Sequence, residues 1–338
     1  MNYSFATGTP PLSGRIRTVP EDFQVFEELG FTATGSGEHI LLRVRKRAVN
    51  TNWVAKQLAT FAGVPPAAVS YAGLKDRHAV AEQWFSVHLP GQPEPDWSGC
   101  GAEDFTVLEH HRHARKLRIG ALKGNAFRIV IRDLDGDLST LEERLHQVGQ
   151  FGVPHYFGSQ RFGHDGGNLA KAEALFLGKM RVKDRHQRGL YLSAARSEIF
   201  NQVLSRRVAE GSWNQPLAGD VMMLDGSHSV FPVTEVDTTI QHRMMDCDIH
   251  PTGPLWGKGE LLSRDSVLEL EQTVAAEYPV LCRGLLAAGL KQERRALRMR
   301  VRDVGLETPG EGTAVISFRL PTGAYATSVL RELVNVDD

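Results

Sequence analysis

Cysteine is scarce in this chain. Cys100, Cys247 and Cys282 are odd in number and far apart, so they supply neither a disulfide framework nor a CxxC metal half-site, and they fit a reducing compartment. Long hydrophobic runs are missing as well. No stretch approaches the length needed to cross a bilayer, and residues 1–14 have no basic region followed by an apolar run; a cytoplasmic chain with no membrane association is the expectation. An excess of one charge sign is also absent. With a formal net charge of -1, bulk attraction for a polyanion is excluded, and any nucleic acid must be held by local basic patches. Walker A and dinucleotide fingerprints, solenoid repeats and low-complexity tracts are absent too. The run His110-His111-Arg112-His113 lacks a Cys or acidic partner at ligand spacing, and neighbours on a strand point to opposite faces. It reads as a basic surface run, and no metal is expected.

What is present is ordinary for a folded protein. The chain has 338 residues, 41% apolar and 23% charged, which argues against extensive disorder and for two domains or one domain with a large insertion. Strand alternation is readable at Arg15 to Phe26, Glu38 to Arg47, Gln83 to Leu89, Phe105 to His110, Leu117 to Leu122 and Phe127 to Arg132. Between the second and third of these, Val54, Leu58 and Phe61 share a helical face, Asn50 or Thr51 is placed to cap it, and Gly63 before two prolines ends it. Leu138, Leu141, Leu145 and Val148 predict an amphipathic helix. From about Phe151 a glycine-rich stretch leads into helices at Asn168 to Phe176, Ser193 to Glu210, Ser266 to Glu277 and Val280 to Ala288. Strand periodicity returns at Leu297, Met299 and Val301 and again at Ile316, Phe318 and Leu320. The pattern is α+β, with strands on both sides of a mainly helical insertion.

Four groups of residues point to chemistry. Arg43 and Arg45, Arg128 and Arg132, and Arg298, Arg300 and Arg302 each occupy one pleat face opposite apolar residues. If those strands share a sheet, one side is a cationic floor for phosphate; the alternative is a solvated sheet face. Tyr71-Ala72-Gly73-Leu74-Lys75-Asp76-Arg77-His78-Ala79 puts a carboxylate between two cations in a loop. Such a group favours its anion and suits a nucleophile or base better than a general acid. A surface salt bridge or a turn-capping aspartate is the alternative. Lys123 to Arg128 and Val153 to Gly163 interleave aromatics with Gly, Asn, Gln and Arg, as an unstacked base requires, or else as buried core.

Taken in order, these segments resemble the TruD family of tRNA pseudouridine synthases. The matching pieces are Pro20 to Phe23, Gly73 to Ala79, Gly124 to Phe127, Gly152 to Gly163, Leu192 to Ser197 and Leu320 to Ser328, spread over nearly the whole chain. The resemblance implies a pseudouridine-synthase catalytic domain with a mixed or antiparallel sheet at residues 1–150 plus 292–338, interrupted by an inserted, mainly helical α/β TRUD domain at 151–291. It implies that the substrate is tRNA and that the uridine at position 13 is isomerised by glycosidic cleavage, base rotation and reattachment through C5. Such a reaction needs no cofactor, and a monomer without a required protein partner is expected.

By the same resemblance Asp76 is the essential carboxylate, attacking C1′ or assisting proton removal at C2′. Arg17 stands where the family has a basic residue, usually lysine, able to pair with it. Phe127 matches the stacking residue; lacking a hydroxyl, it cannot be a general base. Asn125 matches a polar position beside it, and Tyr325 an aromatic one that is often Phe. Phe23, Lys75, Gln160, Arg161 and Phe162 complete the expected substrate-binding set, while His155 departs from the Asn expected there. Two other readings stand beside this one. A glycosidic hydrolase would need a second, protonated carboxyl, and none is obvious near Asp76 in sequence. In a non-catalytic RNA-binding module the basic strands would matter and Asp76 would not.

Overall fold

Period-two alternation builds the strands and period-3.6 stripes build the helices in the computed structural model, which describes residues 3–337. In chain order come β1 (Ser13–Arg15), β2 (Phe23–Leu29), β3 (His39–Arg47), α1 (Thr51–Phe61), β4 (Val69–Tyr71), β5 (Val80–His88), β6 (Gly101–Ala102), β7 (Phe105–His113), β8 (Leu122–Asp135) and α2 (Leu138–Phe151). Then follow β9 (Val153–Pro154), α3 (Gly167–Phe176), α4 (Arg185–Ala209), β10 (Val221–Leu224), β11 (Val230–Pro232), α5 (Thr238–Met245), β12 (Ile249–Leu255), α6 (Asp265–Glu277), α7 (Pro279–Ala287) and β13 (Glu293–Ala296). The last elements are β14 (Arg298–Met299), β15 (Arg302–Gly310), β16 (Thr313–Pro321), α8 (Ala326–Leu333) and β17 (Asn335–Asp337).

The chain divides into two compact units. The first comprises Pro11–Leu145, Val301–Gly323 and the segment from Val334. Its 11-stranded sheet runs β15-β16-β8-β2-β5-β3-β7-β6, with β1 and β4 pairing at the side and β17 on β1. It is mixed: β2 with β5 and β1 with β17 are parallel, while β3 with β5 and β8 with β16 are antiparallel. α1 lays Val54 and Leu58 on Ile40, Leu42, Val44, Phe85 and Val87, each fully buried side chain contributing roughly 1.5–3 kcal/mol. Phe61 packs on Trp97, a buried member of the same core, 5.7 Å away between ring centroids. The helix ends where Gly63 takes φ +66, a conformation that costs glycine little.

The second unit comprises the segment ending at Pro10, His146–Arg300 and Ala324–Leu333. Its spine is the 25-residue α4, capped by Asp184, whose carboxylate accepts from the backbone of His186 and Gln187. α3, α6 and α7 pack around it, and a four-stranded antiparallel sheet, β11-β10-β12-β13, completes the unit. Remote segments are tied in by polar contacts: Tyr3 donates to Glu198 at 2.6 Å, and Ser328 to the Tyr156 carbonyl at 3.2 Å.

The structure alters several expectations. The run Arg15 to Phe26 is broken by a 3-10 turn at Pro20–Asp22, because Pro20 has no N–H for a ladder and Arg17 adopts φ 57. Leu117 to Leu122 is a turn through Gly120 at φ +80, and β8 begins only at Leu122. The insertion carries more strand than its helical stripes suggested.

The cationic floor is also corrected. Arg298 lies in a two-stranded sheet with β9, separate from the large sheet. It is buried, donating to His250 and to the Met244 and Ile249 carbonyls. In the large sheet Arg43 pairs with Glu109 at 2.8 Å, Arg45 with Glu82 at 2.7 Å, Arg128 with Glu307 at 3.2 Å and Arg132 with Asp22 at 2.7 Å. Those acids come from other elements, which the alternation within one strand cannot reveal. The face is an ion-pair lattice.

Candidate active site

The loop between β4 and β5 is pinned from below by the sheet and by α1. Gln83 on β5 donates to the Gly73 carbonyl at 2.6 Å and accepts from Thr51 Oγ1 at 2.9 Å. Thr51 in turn accepts the Lys75 N–H at 3.1 Å. Thr51 is thereby engaged with the loop, and Asn50, at the N-cap position, makes no side-chain cap bond. Lys46 reaches up from β3 and donates to the carbonyls of Asp76 at 2.7 Å and Val49 at 2.9 Å.

Held this way, the Asp76 side chain remains 32% exposed. One carboxylate oxygen pairs with Arg17 Nη2 at 3.1 Å and the other accepts the His78 N–H at 3.1 Å. Arg17 lies over the Phe23 ring, 4.3 Å from guanidinium carbon to centroid, so one face of the cation is fixed by the ring while its edge holds the carboxylate. Phe23 packs edge-on against Phe127 at 6.3 Å, and Phe127 stacks on Phe318 at 5.4 Å. Phe127 is 8% exposed and meets the rings on either side of it in this row at these two contacts.

Beside the row, the Lys75 ammonium sits between the Asn125 amide oxygen and Glu27, the latter at 3.0 Å. Glu27 also accepts the Trp84 N–H at 2.7 Å. Burial pushes the Glu27 carboxyl above the usual glutamate range, opposed by the Lys75 charge. Burial likewise drives the Lys46 ammonium down to about 8, against the pull of Asp76.

Six expected site residues, Arg17, Phe23, Lys75, Asp76, Asn125 and Phe127, are thus linked by direct contacts in the first unit. Gln160, Arg161, Phe162 and Tyr325 belong to the second unit. There Arg161 donates to Ser193 at 2.8 Å and to the Tyr325 hydroxyl at 3.1 Å. Gln160 is exposed. Phe162 is 1% exposed within the core around Phe200 and Leu204, so its ring supports the segment carrying Arg161 from beneath instead of facing a ligand.

Lys46 and Glu27 were not singled out from sequence. A signal was present: Lys46 continues the buried parity of Ile40, Leu42 and Val44, and Glu27 that of Phe23 and Val25. Among the described residues no group of His, Cys, Asp and Glu is arranged to hold a metal ion. What the arrangement offers is a partly exposed, oriented carboxylate beside aromatic rings and fixed cations.

A family model described as tRNA pseudouridine synthase D (TruD) matches residues 1–171 and 166–333. The chain belongs to the TruD family. Relatives named tRNA pseudouridine synthase D include one from Methylococcus capsulatus, 48% identical over 332 residues, spanning 98% of this chain and 94% of that protein. Another, from Hydrogenovibrio crunogenus, is 44% identical over 335 residues, spanning 99% and 96%. A solved Methanosarcina mazei structure carrying the TruD label has 22% identity and a TM-score of 0.76 over 97% of this chain and 95% of that one, so the two share a fold. Within this TruD chain His155 accepts from Arg295, whose guanidinium lies 4.1 Å over the Phe157 ring. Burial lowers Arg295 to about 10.

Proposed function

We propose that the chain isomerises the uridine at position 13 of tRNA to pseudouridine, with Asp76 as the essential carboxylate. The observation that carries this reading is the carboxylate itself, one oxygen on Arg17 at 3.1 Å, the other on the His78 N–H at 3.1 Å, and a third of the side chain open to a ligand. The N1–C1′ bond breaks, the uracil turns, C5 bonds to C1′, and the C5 proton is lost as N1 gains one. No net redox change, hydrolysis or group transfer occurs, and no cofactor is called for. Asp76 acts by attack on C1′ or by taking the C2′ proton, and both require an anion with an oriented lone pair. Arg17 supplies that orientation by holding the oxygen it does not release to substrate.

The uridine must leave its stack to reach such a loop. Phe127 is the ring proposed to meet the everted base, with Phe23, Lys75 and Asn125 around it and Gln160, Arg161 and Tyr325 as RNA contacts on the second unit. Phe162 enters only through the segment it supports. The unit carrying Asp76 is assigned as the catalytic domain; the second, which contains all of 151–291, is assigned as the inserted TRUD domain. The protein is proposed to act as a monomer on tRNA in the cytoplasm; among the described residues no helix is long and apolar enough to cross a membrane.

The test is to incubate wild type and Asp76→Asn with unmodified tRNA and map pseudouridine by position. The variant, nearly unchanged in shape, is expected to bind tRNA and make no pseudouridine. Retained product would remove Asp76 from the mechanism, product at another position would change the substrate assignment, and release of free uracil would favour hydrolysis.

A further inference from the structure

A depression of about 490 Å³ lies against the Asp76 loop, walled by Trp53 and Lys56 of α1 and by Leu74 and Lys75 of the loop. Its apolar walls face water: Leu74 is 70% exposed and Trp53 37%. Neither is loosely held. The backbone on both sides of Leu74 is pinned, through the Gly73 carbonyl to Gln83 and the Lys75 N–H to Thr51. The Trp53 ring is fixed edge-to-face on Phe105, 5.8 Å between centroids. One helical turn beyond Trp53, Lys56 is exposed and has no ion-pair partner among the described residues.

A rigid aromatic face, an apolar side chain opposite and a solvated cation one turn away are what a single nucleotide requires: a stacking platform for its base and a point charge for its phosphate. Leu74 and Asp76 are two residues apart, at most about 7 Å along the backbone, on the order of one or two steps of a nucleic-acid strand.

We propose that this depression is a subsite for a nucleotide flanking the target uridine, its base stacked on Trp53 and Leu74 and its phosphate at Lys56. The proposal rests on the pseudouridine-synthase reading and extends it to a second base. Filling this site as the uridine everts replaces stacking the RNA loses, in the manner of apolar side chains that wedge between bases.

The experiment uses full-length protein and tRNA carrying a single abasic nucleotide on either side of the target uridine, with affinity measured by fluorescence anisotropy and pseudouridine mapped in parallel. For wild type, one of the two abasic RNAs is expected to bind roughly ten-fold more weakly than intact tRNA. Trp53→Ala and Leu74→Ala should weaken binding of intact tRNA by a similar factor and lose most of their sensitivity to that abasic change, a non-additive cycle. Trp53→Phe should keep the coupling. Leu74→Ala removes a side chain already in solvent, so it tests the subsite without touching the core.

Lys56→Ala should flatten the dependence of log affinity on log salt by about one unit. Equal abasic penalties in wild type and both alanine variants, or no penalty on either side, would overturn the subsite; an unchanged salt slope would overturn its phosphate contact. These outcomes, with product still formed by wild type on intact tRNA, count against the subsite alone. Absence of product from wild type counts against the function itself.

Discussion

Lys46 is an ammonium with no exposed surface, donating to two backbone carbonyls, one of them that of Asp76. Its pKa falls from 10.5 to about 8, chiefly through burial. The sign of the consequence follows from linkage. In that window the unfolded chain still holds the proton and the folded chain has released it, so this group's contribution to stability rises with pH. The stability of wild type relative to Lys46→Met is therefore expected to increase between about pH 7.5 and about pH 9.5. Denaturant midpoints of both proteins at the two pH values check it; parallel changes would show that another group titrates. At this scale the Asp76–Arg17 pair was foreseen from the family pattern. Lys46 and Glu27 were not, because a lysine or glutamate at strand parity is buried only if something covers that face, and the covering loop comes from elsewhere in the chain.

At the scale of elements, β8 joins the site to the sheet. Its Asn125 and Phe127 lie on the face that also carries Phe23, Val25 and Glu27, and it pairs with β16 from Gly124↔Pro321 to Ile131↔Ala314. Gly124 is required by that pairing, since a Cβ there would collide with the Leu320 carbonyl oxygen. Gly124→Ala is expected to lower stability by about 1–3 kcal/mol through overpacking against backbone and to reduce turnover by shifting the neighbouring Asn125 away from Lys75. Chemical denaturation and single-turnover rates read the two effects; an unchanged rate would separate the strand pairing from the site. The helices α1, α2 and α3 and the strands β3, β5 and β16 were legible because their apolar periodicity is continuous. The split of residues 297–302 between β14 and β15 was not: Leu297, Met299 and Val301 alternate without a break, and only the partners available to each end, β9 for one and β16 for the other, separate them.

For the whole molecule, the charge of -1 leaves tRNA binding to local cations, many of which are spent on internal ion pairs. Of the large exposed apolar side chains, Trp53 and Leu74 share the depression assigned to a nucleotide, and a monomer is proposed. Light scattering is expected to give the monomer mass across a wide concentration range; a mass that doubles would refute it.

The family, the α+β class and the position of Asp76 between two cations follow from the chain alone, because ordered motifs and local periodicity are properties of the chain. Tertiary structure alone decided which cations are free. Arg43, Arg45, Arg128 and Arg132 have acids opposite them, Arg298 is buried, and Lys56 has no ion-pair partner among the described residues. A side chain's face follows from its own strand or helix, whereas its partner is set by whichever distant segment packs there.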